Sequence, residues 1–224
     1  MYIHIPKTSG TNLRYVFLNS ENNVVNYDEI HQDKILSVSA KNIFWRGRNI
    51  QDILEHPLCP NELDYLVTKH APLWVWQQSG DYKNHKIITT VRNPYTRAVS
   101  LYKQILRIFG DMLDQQITFF DFLHNQYIQS VVGRFPQNHK TQQVEHLKDL
   151  NGEIKVDRFY KMETDLDMIA QQYNLGNIHT QKHNTGNYDK DYSMIYNDFL
   201  IDWVRTTYVD DFEFFGYDTQ PFWL

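Results

Sequence analysis

Cysteine is nearly missing from this chain. Cys59 is the only one in 224 residues, so no disulfide framework can form within the chain, and an inert buried thiol is the expected role. Long apolar runs are missing, so no spanning helix and no stable membrane insertion are expected. An excess of positive charge is missing as well. The formal net charge is −5, which excludes a nucleic-acid binder held by a broad basic face and leaves room only for a local basic pocket. The chain has no internal repeat and no low-complexity linker. The start lacks the basic-then-apolar layout of a secretory signal, which predicts a cytoplasmic protein. What is present is 42% hydrophobic and 15% aromatic content, the composition of a globular chain, with a length suited to one domain over residues 1–224.

The first informative stretch is IHIPKTSGTNLRYVFL, residues 3–18. Residues 3–5 read as a short buried strand that Pro6 stops, and residues 12–18 carry a helical pattern. Between them Lys7, Thr8, Ser9, Gly10 and Thr11 form a tight polar turn. A strand, a turn of small residues and a helix N-terminus make an anion site, because the first helical N–H groups lack internal partners and the helix dipole adds positive potential. Gly10 allows close backbone approach, Thr8, Ser9 and Thr11 add hydroxyl donors, and Lys7 adds a full charge. The order differs from a Walker A loop, G-x-x-x-x-G-K-[ST], in which lysine follows the glycines. An ordinary strand-to-helix turn could use the same residues.

The remaining pattern alternates strands with helices. Short strands are expected at 24–27 and 65–68, and a tryptophan-rich helical turn at 72–78. The clearest buried strand is 86–91, followed by a helix from Asn93 and Pro94 to about Phe109. A long amphipathic helix is expected at 119–129 and a strand at 155–160. A helix follows at 164–173, with Thr164 and Asp167 as a capping box. A polar loop spans 176–189. A last long helix covers 192–212, and an aromatic tail over 214–223 packs back on the core. This order predicts an α/β fold with a central parallel sheet covered by helices.

The second informative stretch is KIITTVRNPYTRAVSLYKQ, residues 86–104. Arg92 follows a predicted central strand, at the end where open parallel sheets bind ligands. Ser100 lies eight residues on in the next helix. A guanidinium and a hydroxyl there can hold a terminal phosphate. A surface arginine and a helix serine are the plain alternative.

Together, PKTSGT near the start and the later strand–RNPYTRAVSLY–helix unit resemble the two-part signature of sulfotransferases. The chain is similar to their carbohydrate branch, which includes the uronic-acid 2-O-sulfotransferases and small bacterial enzymes. The runs VDRFYKMETDLDMIA, KHNTGNYDKDY and VDDFEFFGYD resemble further segments of that family. The resemblance implies a P-loop-NTPase-like fold and a donor, 3′-phosphoadenosine-5′-phosphosulfate (PAPS). It implies that Lys7 and the backbone of Thr8, Ser9, Gly10, Thr11 and Asn12 hold the 5′-phosphosulfate, and that Arg92 and Ser100 hold the 3′-phosphate. The implied partner is a glycan or glycolipid acceptor, met at the inner face of the membrane where envelope glycans are assembled, and no metal is expected.

Sulfuryl transfer depends on positioning and charge stabilisation, as phosphoryl transfer does. Lys7 is the candidate for neutralising charge on the leaving oxygen. His70, at the end of the predicted strand 65–68, is the candidate base. It also matches the family's histidine ahead of the arginine-bearing strand. Glu29, with Asp28 and His31, is a rival, and Glu163 a weaker one. His179 and His183 sit between glycines and do not suggest a metal site. Residues 73–76 could stack on sugar rings, though core packing is the default. Arg97, Lys103 and Arg107 read as a solvated face or as a guide for an anionic acceptor. A kinase-like or non-catalytic nucleotide-binding protein is the alternative function.

Overall fold

The computed structural model describes residues 2–8, 13, 72–74, 77, 86–109, 117–124, 140–173 and 192–224. They divide into two compact units, Met1–Val91 with Gln143–His183, and Arg92–Gln142 with Asn184–Leu224. The expected strands at 24–27 and 65–68, the loop at 176–189, Cys59 and the His179–His183 pair lie outside the described residues.

The first unit is built on a parallel sheet of three strands. These are β1 (Tyr2–Ile3), β2 (Ile88–Val91) and β3 (Arg158–Lys161), in the order β1-β2-β3. Tyr2 faces Ile88 across the first pair, and Ile88 to Val91 face Arg158 to Lys161 across the second. All of β2 is buried, as expected for a strand covered on both faces. The sheet bears out the predicted α/β fold, with shifted strand ends. β1 stops at Ile3, although Ile5 is fully buried beyond it. β3 begins at Arg158 because the chain before it is used elsewhere: Lys155 donates its N–H to Leu147 at 2.9 Å, and Ile154 bridges Lys148. At the junction the Asp157 carboxylate accepts the Ile87 N–H at 2.6 Å, supplying a partner that the ladder does not.

Tyr2, Leu13, Ile88, Tyr160 and Ile169 form this unit's core, with Leu166, Ala170 and Tyr173 against it. The helix α3 (Leu166–Gln172) supplies Ile169. Its N-terminus corrects the sequence reading, because no capping box forms at Thr164 and Asp167. Asp165 stands at the cap position without capping the helix. Its carboxylate accepts the Lys161 N–H at 2.8 Å and the Thr164 hydroxyl at 2.8 Å. The turn leaving β3 engages both Thr164 groups that the box needed, the hydroxyl through Asp165 and the N–H through the Lys161 carbonyl at 3.2 Å. Leu73 and Trp74 are helical and buried, and the Trp74 N–H donates to Lys148 at 3.1 Å. Leu73 and Trp74 are therefore core residues, whereas Val75 and Trp76 of the proposed sugar-stacking stretch lie outside the described residues.

The second unit is helical. It contains α1 (Pro94–Phe109), α2 (Phe119–Leu123), α4 (Asp198–Thr207) and α5 (Val209–Phe215). α1 matches the expected span. Asn93 caps it through its side chain, accepting the Tyr95 N–H at 3.0 Å, with Pro94 in the first helical position. Tyr95, Val99, Leu101, Ile105, Phe119, Phe122, Tyr196, Val204, Tyr208 and Phe212 form the core.

Three expectations are corrected here. The helix predicted over 119–129 ends at Leu123. Its last carbonyls, on Phe122 and Leu123, accept from the Lys140 ammonium, the Leu123 bond being 3.3 Å, so they need no further helical turn. The capping box that the sequence suggested at Thr164 occurs instead at Thr118 and Asp121. The long helix predicted over 192–212 is broken. A 3-10 turn at Tyr192–Met194 comes first, Asn197 caps α4 by accepting the Leu200 N–H at 2.9 Å, and the chain re-sets at Tyr208 before α5. Thr206, Thr207 and Val209 bracket that break, and β-branched residues favour helix least where the chain must turn. Gly216 ends α5 in the left-handed region at φ 61°. Trp223 of the tail packs back as expected, stacking on Tyr196 at 5.2 Å between ring centroids, whereas Phe222 remains 66% exposed.

Lys140 gives this unit a pH dependence. Burial pushes its ammonium down to about 7, while the two carbonyls and the Phe122 ring, 4.4 Å away, oppose the shift. Above about pH 7 and below the ordinary lysine range, the unfolded chain holds more protons than the folded one. Stability therefore rises with pH across that window. Urea denaturation at about pH 7 and about pH 9 should show the rise, and Lys140→Met should flatten it.

Candidate functional site

The loop after β1 is shaped by threonines on β2. Thr89 donates its hydroxyl to the Ile3 carbonyl at 2.7 Å. Thr90 donates to the Thr8 carbonyl at 2.7 Å. The Thr90 oxygen lies 2.6 Å from the Tyr2 hydroxyl, and with its own proton given to Thr8 it accepts from Tyr2. Thr8 closes the turn by donating to the Ile5 carbonyl at 2.9 Å. Burial pushes the Tyr2 phenol well above its usual value, so it stays neutral and keeps its donor proton. Tyr2, Thr8, Thr89 and Thr90 are all buried, where such bonds are least exposed to competing water.

This latch fixes an unusual backbone. Lys7 has φ 68°, and it is the only non-glycine residue in the left-handed region among the described residues. For a residue with a Cβ this costs about 1–2 kcal/mol. Left-handed residues in a turn between strand and helix help to form the concave rows of N–H groups that bind anions. Lys7 is partly exposed, and the helical Leu13 follows in the chain. The Thr8 hydroxyl, expected to be a ligand donor, gives its proton to the Ile5 carbonyl inside the loop. Ser9, Gly10, Thr11 and Asn12 lie outside the described residues.

In the second unit, Arg92 precedes α1 and is partly exposed. Its Nε donates to the Thr96 hydroxyl oxygen at 2.9 Å. That hydroxyl gives its own proton to the Asn93 carbonyl at 3.1 Å, so its lone pairs are left to accept from Arg92. Ser100 lies one helical turn beyond Thr96, on the same stripe of α1, and is 8% exposed. The structure thus groups Arg92, Thr96 and Ser100 on one side of α1. Thr96 was not singled out from sequence, although its spacing of four from both Arg92 and Ser100 is a readable signal.

Arg97 has a different job from the one expected. It is 1% exposed, donates from Nη1 to the Thr141 carbonyl at 2.9 Å, and lies 6.0 Å from the Tyr208 ring. Arg97, Lys103 and Arg107 therefore form no common solvated face. Burial raises the Tyr208 phenol to about 12, with the Arg97 charge lowering it and the Asp211 charge raising it. Arg97 and buried Asp211 thus bring opposite charges to the same buried ring.

His70, Asp28, Glu29 and His31 lie outside the described residues. Glu163 is exposed in the turn after β3, ahead of α3 rather than in its first turn. Among the described residues, no group of three His, Cys, Asp or Glu could hold a metal. No helix among them is long and apolar enough to cross a membrane.

Two stability measurements check this geometry. Thr90→Val should cost about 2 kcal/mol, because it removes the hydroxyl that accepts from Tyr2 and donates to the buried Thr8 carbonyl. Lys7→Gly should stabilise the fold by up to about 1 kcal/mol by relieving the left-handed strain, whereas Lys7→Ala should bring no gain. Chemical denaturation reads both.

Residues 3–184, most of the chain, match the family model described as the sulfotransferase domain. No curated protein and no solved structure matches the chain. The Lys7 loop and the Arg92 segment both fall within the matched range. The chain belongs to the sulfotransferase family, P-loop-NTPase-like α/β enzymes of sulfuryl transfer that generally take PAPS as donor.

Proposed function

We propose that residues 1–224 act as one sulfotransferase domain of the carbohydrate, uronic-acid 2-O-sulfotransferase-like branch. The reaction moves a sulfuryl group from PAPS to a hydroxyl of a glycan or glycolipid, in the cytoplasm at the inner face of the membrane. The observation that carries this reading is the left-handed Lys7, held in a buried threonine latch directly after the first strand. A protein keeps strain of this kind where the surrounding structure enforces it, and such residues cluster at ligand sites.

Each proposed residue has a distinct task. Lys7 and the backbone from Thr8 to Asn12 grip the 5′-phosphosulfate. Arg92 and Ser100 grip the 3′-phosphate through charge-assisted bonds. In the transfer, the bond from sulfur to the leaving phosphate oxygen breaks as the bond to the acceptor oxygen forms, in line. Lys7 offsets the negative charge growing on the leaving oxygen. His70 takes the acceptor's proton, with the Asp28, Glu29 and His31 segment as the rival base. Lysine and backbone dipoles supply the charge stabilisation, so the reaction needs no metal.

Adenosine 3′,5′-bisphosphate, the desulfated product, should raise the melting temperature well beyond the effect of ATP with magnesium. Equal or reversed shifts would favour the kinase-like reading. In single-turnover transfer, Lys7→Ala should lose about 100-fold or more. His70→Ala should keep donor affinity and lose transfer, an outcome that separates chemistry from binding.

A further inference from the structure

The family match ends at residue 184, yet the chain beyond it packs on the turn that carries Arg92. Tyr196 donates its hydroxyl to the Tyr95 carbonyl at 2.8 Å. Tyr95 donates its own hydroxyl to the Thr219 carbonyl at 2.6 Å. The Tyr95 ring is held edge-on by Tyr196 at 5.6 Å and by Trp223 at 5.7 Å, and Phe212 lies 5.1 Å away. Tyr95 is fully buried. It is the second residue of α1, between Asn93, which caps the helix, and Thr96, which accepts from Arg92.

From this juxtaposition we infer that Tyr196, with the Thr219 carbonyl, positions the Arg92–Thr96–Ser100 stripe for recognition of the donor's 3′-phosphate. The reasoning is geometric. Arg92 lies outside the helix, and its Nε donates to the Thr96 hydroxyl. The Thr96 hydroxyl is oriented in turn by the Asn93 carbonyl. The placement of both depends on the backbone of α1's first turn. A helix's first turn has few bonds of its own, and here the outside hold comes from Tyr196 on the backbone and Thr219 on the Tyr95 side chain. The segment 192–224 therefore acts on specificity through the backbone of α1, and its residues need not touch the nucleotide. A bidentate phosphate contact tolerates little displacement, so a small shift of this turn weakens the 3′-phosphate contact selectively.

This inference rests on the proposed PAPS reading, and the experiment separates the two. The full chain is titrated calorimetrically with adenosine 3′,5′-bisphosphate and with adenosine 5′-phosphate, and the ratio of affinities measures 3′-phosphate discrimination. Wild type should prefer the bisphosphate strongly, and Arg92→Ala should abolish the preference. Tyr196→Phe keeps the ring packing and removes only the hydroxyl. It should lower the ratio about tenfold while affinity for adenosine 5′-phosphate stays within about twofold. Tyr95→Phe, which releases Thr219, should act in the same direction. A lower melting temperature with an unchanged ratio in both variants would make the contacts merely structural and overturn the inference. No preference for the bisphosphate in wild type would overturn the donor reading and this inference with it.

Discussion

The hydroxyl of Thr90 does the work that a peptide ladder does elsewhere in the sheet. It sits in the buried middle strand, gives its proton to the Thr8 carbonyl and accepts from Tyr2. Without it, the carbonyl of the residue after Lys7 would lose its partner in a place where water is scarce. With Thr89 on the Ile3 carbonyl and Thr8 on the Ile5 carbonyl, hydroxyls satisfy the chain as it leaves β1. The left-handed Lys7 is tolerable only inside that frame. A strained lysine beside an intact latch places a positive charge in a fixed backbone geometry, as the proposed role of Lys7 requires. It also explains why β2 carries two threonines where hydrophobic burial alone would favour valine or isoleucine.

The run RNPYTRAVS divides its residues between two tasks. Arg92, Thr96 and Ser100 form the polar stripe. Asn93, Pro94, Tyr95 and Arg97 build the helix that presents it. Arg97 shows how sharply the tasks separate, since a residue expected on a solvated face or as a guide for an anionic acceptor is buried against Thr141 and Tyr208. Its charge is placed in a region that also holds buried Asp211. Charged groups are rarely buried so fully without such compensation. Asp211 lies in the terminal run VDDFEFFGYD, beyond the residues that the family model matches.

Local rules were readable wherever the deciding atoms were close in sequence. The span of α1 follows from Asn93, Pro94 and the apolar period, and the buried β2 follows from its unbroken run. The sulfotransferase family was legible from the Lys7 loop and the Arg92 segment together. Local rules failed where a distant group intervened. The pattern T-x-x-D occurs at Thr118–Asp121 and at Thr164–Asp167, and only the first forms a capping box. At the second, the backbone N–H of Lys161 recruits Asp165 and the turn closes differently. The early end of α2 has the same kind of cause, because Lys140 satisfies carbonyls that the sequence pattern assigned to a further turn. The left-handed Lys7 had no sequence signal at all, since glycine is the usual mark of that geometry. The break at Tyr208 was visible only as a cluster of β-branched neighbours.

The Lys7 loop and the Arg92 stripe are separated by more than eighty residues of sequence, and each belongs to its own compact unit. Under the proposed function they hold opposite ends of one nucleotide. A calorimetric titration of adenosine 3′,5′-bisphosphate into wild type, Lys7→Ala, Arg92→Ala and the double variant tests this most directly. The account predicts one nucleotide per chain, with the 5′-phosphate contribution lost in the first variant, the 3′-phosphate contribution lost in the second, and both lost in the double. Two nucleotides bound per chain, or the same phosphate contribution lost in both single variants, would contradict it.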